Sequence, residues 1–285
     1  MMIKIQKLTK AFKQHTILDG LNLNMDIGER IALIGSNGAG KTTLIRCLLG
    51  EYTFTGSIEI KDKAIRENRT ELLKYIGFVP QIPPPIKTSV GQLLNFAATV
   101  SETEPERMQQ LIAKLGLSYE EIKHLPFVKL SGGQKQKVLI AIALGRDAQI
   151  LMMDEPTASL DPAARKVLFE LLAEKLDNTL MLISSHRLDE VAGLVNRVIE
   201  MDQGKIILDD KVDDNVHLTR VLNCKITLSQ AEEAFAKSIV QWKFNSDENN
   251  IVWSGEIPGP DRLKFLGLLS RYAANLSGIE INEIH

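Results

Sequence analysis

An α/β fold is predicted by three features of the sequence: a P-loop core of parallel strands with an antiparallel β subdomain and an inserted helical subdomain, plus a small C-terminal α/β domain. Short apolar runs of strand length at 31–34, 75–79, 150–153 and 180–183 alternate with helical patterns, as in a parallel sheet covered on both faces. The first run passes through Gly35-Ser36-Asn37-Gly38-Ala39-Gly40-Lys41-Thr42-Thr43 into a helix that closes at Gly50. Finally, residues 213–285 change texture to short strands and helices in the order βαββαβ, a ferredoxin-like order, and carry no catalytic constellation. The boundaries expected are therefore 1–212 for the first domain, with its helical subdomain at about 82–130, and 213–285 for the accessory domain.

Composition sets the outer limits. The chain has 285 residues, 44% hydrophobic and 25% charged, enough for one large core and a small one. A net charge of -2 without a basic run gives no electrostatic reason to expect nucleic acid. The longest apolar run, near 138–144, is far below the ~20 residues a membrane-spanning helix needs. Met1-Met2-Ile3-Lys4-Ile5 alternates like a strand rather than opening a signal peptide, so a cytoplasmic location is expected. Cys47 and Cys224 have no metal-like spacing and read as buried thiols.

Taken in order, Ile3, Ile5 and Leu8, then Leu21, Leu23 and Met25 with polar residues between, predict a small antiparallel sheet ahead of the glycine-rich loop. Phe12 is placed in the turn between those strands, where it either stacks on a purine or fills core. Residues 58–60 continue the hairpin pattern, and the strand at 75–79 ends at Pro80-Gln81, followed by the stiff run Pro83-Pro84-Pro85. Helical periodicity takes over at 90–100 and 106–117. Leu130-Ser131-Gly132-Gly133-Gln134 announces the next helix, with Ser131 as N-cap and an N-terminus open to an anion.

The apolar run 150–153 ends at Asp154-Glu155-Pro156, and two charges at the end of a buried strand call for a chemical reason. A helix over 162–176 leads to the strand 180–183, which ends in Ser184-Ser185-His186, and a hairpin around Asp202-Gln203-Gly204 closes the domain. In the tail, strands are expected at 224–228, 239–244, 251–256 and 278–284 and helices at 229–237 and 262–276, with Trp242 and Trp253 in the two middle strands.

The chemistry concentrates where parallel strands end, the edge on which open α/β sheets bind ligands. The glycines let successive N–H groups face a polyphosphate, Lys41 adds a full positive charge, and Thr42 offers its hydroxyl to a Mg²⁺ bridging the outer phosphates. Adjacent carboxylates on extended backbone point apart, so of Asp154 and Glu155 one can face metal and the other the terminal phosphate. Alone, Glu155 also reads as a solvated acid, His186 as a packed or surface histidine, and Gln81 as an ordinary loop residue.

Read together, these motifs resemble the nucleotide-binding subunit of an ABC transporter over roughly residues 1–210. The resemblance rests on residues 35–43 as Walker A, Gln81 as the Q-loop glutamine, Leu130 to Gln134 as the signature, 150–155 as Walker B, Ser159-Leu160-Asp161 as the D-loop and His186 as the switch histidine. It implies ATP and Mg²⁺, with Gly35, Ser36, Asn37, Gly38, Ala39, Gly40, Lys41, Thr42 and Thr43 on the nucleotide and Phe12 on the adenine. Asp154, Thr42 and Gln81 would serve the metal, Glu155 the attacking water and His186 the γ-phosphate. The signature Ser131, Gly132, Gly133 and Gln134 would cover the ATP of an opposite subunit, which implies a homodimer docked on a separate integral-membrane permease at the cytoplasmic face. Export is the direction implied by the compact helical subdomain and small tail; an importer subunit and a soluble ABC ATPase are the rivals. Two positions depart from the family pattern: Phe12 where tyrosine is usual, and Lys137 where arginine is common.

Overall fold

The computed structural model describes residues 2–175, 178–186, 191–211, 222–257, 265, 268–269, 272 and 275–283. The described residues fall into two compact units, one within 1–186 and 194–212, the other within 187–193 and 213–285. The boundary expected between 212 and 213, the end of the helix at 176 and most of the helix expected over 262–276 lie outside the described residues.

In the first unit, β1 (Ile3–Phe12) pairs antiparallel with β2 (His15–Met25) and β4 (Thr55–Ile60), and β5 (Lys63–Ala64) completes a four-stranded sheet in the order β2-β1-β4-β5. Ile3, Ile5 and Leu8 all point inward although the spacing changes, because the register shifts between Ile5 and Leu8 at Lys7, whose φ is 49°. Phe12 is the last residue of β1, opposite His15, rather than part of the turn.

The second sheet carries the strand-end residues. β3 (Arg30–Ile34), β6 (Ile76–Val79), β7 (Ile150–Asp154), β8 (Leu180–Ser185), β9 (Arg197–Asp202) and β10 (Lys205–Lys211) stand in the order β10-β9-β3-β8-β7-β6. All neighbours are parallel except the β9–β10 hairpin. Every residue of β7 and β8 is buried, as continuous apolar runs require of central parallel strands. Gln203 and Gly204 both have positive φ, the geometry of a two-residue hairpin turn that matches strand twist.

Between β6 and β7 lie α3 (Val90–Ser101), α4 (Pro105–Lys114), the single turn α5 (Tyr119–Ile122) and α6 (Gly132–Gly145), after α1 (Lys41–Leu48) and α2 (Ile65–Leu72) earlier in the chain. α6 is buried nearly all round from Gln136 onward, as befits a helix inside a core. α7 (Pro162–Ala173) follows β7, with Asp161 accepting the Ala164 N–H at 2.9 Å as its N-cap.

The second unit has its own core around Phe235, Trp253 and Phe265. β11 (Leu222–Leu228), α8 (Glu233–Val240), β12 (Asn245–Ser246), β13 (Val252–Ile257) and β14 (Leu276–Glu283) form an antiparallel sheet ordered β12-β13-β11-β14, the strand order of the ferredoxin-like arrangement. The strand expected at 239–244 is corrected: Ile239 belongs to α8, one turn after Phe235, and both are fully buried. Trp242 lies in the turn that follows, edge-on to Phe265 at 5.1 Å, and only Asn245 and Ser246 pair with β13. β-type residues at 239–244 mimic a strand, but the Phe235 to Ile239 spacing places both on one helix face.

Both cysteines are buried free thiols, and loss of hydration pushes each up to about 11. Among the described residues no helix is long and apolar enough to cross a membrane.

Candidate active site

The order β3-β8-β7-β6 aligns the strand ends, so the loop after β3, His186 after β8, Asp154 at the end of β7 and Gln81 just past β6 share one edge. There, Phe12, Ile17, Asn37, Gly38, Ala39, Gly40, Lys41, Thr42, Thr43, Gln81 and Glu155 line a cleft of about 450 Å³.

The glycine-rich loop owes its shape to backbone positions that side chains disfavour. Gly35, Gly38 and Gly40 have φ of 148°, 87° and 107°. A Cβ on Gly35 would stand 2.3 Å from the Met201 carbonyl oxygen of β9. Gly35→Ala should therefore both strain the loop and push β9 away, costing about 1–3 kcal/mol from the backbone alone; comparing its urea midpoint and ATP affinity with the parent checks this. The loop wraps Lys41, whose buried ammonium donates to the carbonyl oxygens of Gly35 at 2.7 Å and Ser36 at 3.2 Å. α1 has no side-chain N-cap, whereas α3, α6 and α7 are each closed by one. The bare first turn of α1 is thus an anion seat beside a cation.

At the end of β7, Asp154 is 1% exposed. Its Oδ1 accepts the Ser184 hydroxyl at 2.6 Å, while its Oδ2 is buried with no hydrogen-bond partner among the described residues. A buried, unsatisfied carboxylate oxygen is costly unless a cation completes it. Glu155 does not continue the extended backbone: its φ is 48°, and its N–H donates to Ser184 O at 3.2 Å and Ser184 Oγ at 3.0 Å. The two carboxylates diverge because the chain leaves the ladder at Glu155, not because strand side chains alternate. This turn brings Glu155 Oε2 to 3.4 Å from His186 Nδ1. Ser184 was visible in the sequence only as one polar residue at a strand end; its role as a bridge follows from register, which pairs it with Asp154.

Phe12 lines the cleft with its ring edge-on to Tyr52 at 5.2 Å and Lys10 Nζ 4.5 Å from its centroid. Ser131, Gly132, Gly133 and Gln134 are not among the residues lining the cleft, and neither are Gly35, Ser36, Asp154 and His186. Ser131 is the N-cap, as expected, and forms a reciprocal capping box with Gln134, Ser131 Oγ accepting the Gln134 N–H at 3.3 Å and Gln134 Oε1 the Ser131 N–H at 2.9 Å. Lys137 reaches Asp161 at 2.7 Å, and this hydrogen bond, with the Ala164 N–H, holds the Asp161 carboxyl below its usual range.

Comparison with known proteins starts from the loop: the pattern described as ABC transporter matches residues 18–158. The arginine transport ATP-binding protein ArtM of Bacillus subtilis is 36% identical over 219 residues, 73% of this chain and 90% of ArtM. The chain belongs to the ABC transporter ATP-binding family. The lantibiotic transport ATP-binding protein SrtF of Streptococcus pyogenes is 35% identical over 79% of this chain and 97% of its own length. A solved ATP-binding subunit of an ABC transporter shares the fold with a TM-score of 0.68, at 24% identity over 75% of this chain and 91% of that one. The protein is thus an ABC ATPase subunit, with ATP as substrate and Mg²⁺ as cofactor. The residues present fit both: the bare α1 terminus and Lys41 suit a triphosphate, and Asp154 Oδ2 with the Thr42 hydroxyl suits a hard cation. Among the described residues no group of three or more His, Cys, Asp or Glu converges.

Proposed function

We propose that this ABC subunit powers a separate membrane permease by closing as a homodimer on two ATP molecules and reopening after hydrolysis. The observation that carries the reading is the Glu155–His186 pair at 3.4 Å at the edge of the cleft that Lys41, Thr42 and Gln81 line. Residues 35–43 hold the triphosphate and Phe12 supports the adenine. Asp154 and Thr42, with Gln81, would hold Mg²⁺, which would neutralise charge building on the transferred phosphoryl group. Glu155 takes the proton of the attacking water, and His186 keeps it aimed at the γ-phosphate.

Ser131 serves its twin's nucleotide. Its hydroxyl accepts the capping bond and keeps its own proton free to donate, so capping and phosphate contact coexist. Asp161, tied to Lys137 of α6, couples the segment after Glu155 to the signature helix.

A mixing experiment tests the shared site. Ser131→Arg and Glu155→Gln chains, each inactive alone, should regain roughly a quarter of parent ATPase when mixed, because half of randomly paired dimers are mixed and own one intact site. No recovery at any ratio would place signature and Walker residues of one site in a single chain.

The permease docks on the helical segment at about 82–130, where Ile82 and Phe96 expose apolar side chains, and this holds the subunit at the cytoplasmic face. Export is the direction we assign, in line with the compact helical segment and the α/β tail. The similarity to the methionine import ATP-binding protein MetN of Bartonella henselae, 33% identical over 258 residues, favours import instead. ATP-driven accumulation of a cargo in inside-out vesicles supports export, and accumulation in right-side-out vesicles supports import.

A further inference from the structure

We infer that Ser184 is a positioning residue of the hydrolytic centre, dividing the Asp154 carboxylate into one oxygen held by protein and one reserved for Mg²⁺. The inference rests on the assignment of Asp154 to the metal. Ser184 is fully buried and lies directly across the parallel ladder from Asp154. A serine hydroxyl has one proton to give and two lone pairs to receive with. Here the proton goes to Asp154 Oδ1 at 2.6 Å, a short charge-assisted bond, and one lone pair receives the Glu155 N–H at 3.0 Å.

Three consequences follow from that one atom. The Asp154 carboxylate is fixed in rotation, so its unpartnered Oδ2 keeps one direction. The Glu155 backbone is held at φ 48°, a conformation that non-glycine residues leave unless the surroundings hold them there. And because both bonds end on the same oxygen, the metal-binding and water-activating carboxylates are set at a fixed offset. Removing the hydroxyl leaves the Glu155 N–H its bond to Ser184 O but leaves Asp154 Oδ1 without this donor. The lesion should therefore show in metal use before it shows in folding.

The test measures binding of a fluorescent, non-hydrolysable ATP analogue by the full chain, once with Mg²⁺ and once with EDTA, beside thermal melting and ATPase. In the parent, Mg²⁺ should tighten nucleotide binding. Ser184→Ala should lose about ten-fold or more of that tightening, as expected on removing an outer-shell partner of a metal ligand. Affinity in EDTA should stay within about two-fold of the parent, while the Mg²⁺ needed for half-maximal ATPase rises and kcat falls. Ser184→Thr, which keeps the hydroxyl, should recover most of the Mg²⁺ effect. If its added methyl prevents folding in this buried place, Ser184→Cys replaces it: similar in size but a weak donor, it should resemble alanine. Ser184→Ala or a folded Ser184→Cys with the parent's Mg²⁺ tightening would overturn the inference. Asp154→Asn, run in parallel, separates the two levels. If it abolishes the tightening while Ser184→Ala does not, Ser184 alone is misassigned; if it too leaves the tightening intact, the metal assignment falls and the Ser184 inference with it.

Discussion

Glu155→Gln is expected to bind ATP with parent affinity and to hydrolyse it roughly 10²–10⁴-fold more slowly, the contribution of a positioned general base. The substitution keeps shape and removes only basicity. Lys41, the α1 terminus and Asp154, the groups proposed to hold nucleotide and metal, are untouched, so affinity should remain. The Glu155 N–H keeps its bonds to Ser184, so the left-handed turn that aims the side chain persists. What disappears is the anionic oxygen 3.4 Å from His186 Nδ1 that can receive a proton from water. Single-turnover ATPase and analogue binding on the same preparation check this. Because binding survives while release by hydrolysis fails, the variant should also accumulate as an ATP-bound dimer in light scattering. Near-parent turnover would remove Glu155 from the chemistry.

The largest stability effect is expected at Arg197. Its buried guanidinium spans the start of β9: Nε and Nη2 donate to the Asp209 carboxylate at 2.7 Å each, and Nη1 donates to Glu29 Oε2 and Asn24 O at 2.7 Å. Arg197→Ala leaves Asp209 without this partner and Glu29 with only Lys211 and the Asp26 N–H, and should destabilise the fold by about 2–3 kcal/mol, less than for a fully buried pair because Asp209 is exposed. β9 lies beside β3 and supplies the Met201 carbonyl behind Gly35, so the loop should loosen as well. Acid provides a second check. Burial pushes the Glu29 carboxyl up, but hydrogen bonds from Lys211 and the Asp26 N–H, with the charge and hydrogen bond of Arg197, outweigh it and hold it below its ordinary value. A lowered folded-state value means stability that is present above the ordinary glutamate range and lost as pH falls through the folded value. The parent should thus lose stability on acidification below that range, and Arg197→Ala should lose less. Urea midpoints at pH 7 and pH 4 measure both effects.

Much of the site was legible because its residues are contiguous. Residues 35–43 declare their strand, turn and helix by local pattern, and Asp154 and Glu155 stand out as charges ending an apolar strand. The Arg197 cluster was not legible, since Glu29, Arg197 and Asp209 converge only when three strands pair. Phe12 was only half legible: its place at the strand end needs the β1 register, and its ring is set by Lys10 and Tyr52. The tail misled at 239–244, where Trp242 and its neighbours suit a strand but Phe235 and Ile239 must share a helix face to fill the small core.

The order of motifs along this chain was enough by itself to determine a P-loop ATPase of the ABC family, because backbone shape and phosphate chemistry there depend on neighbours in sequence. Tertiary structure alone decided how the parts act on one another. Strand pairing put Ser184 across from Asp154, and the left-handed turn at Glu155 brought His186 within reach. Those are relations between residues far apart in the chain, and only packing sets such distances.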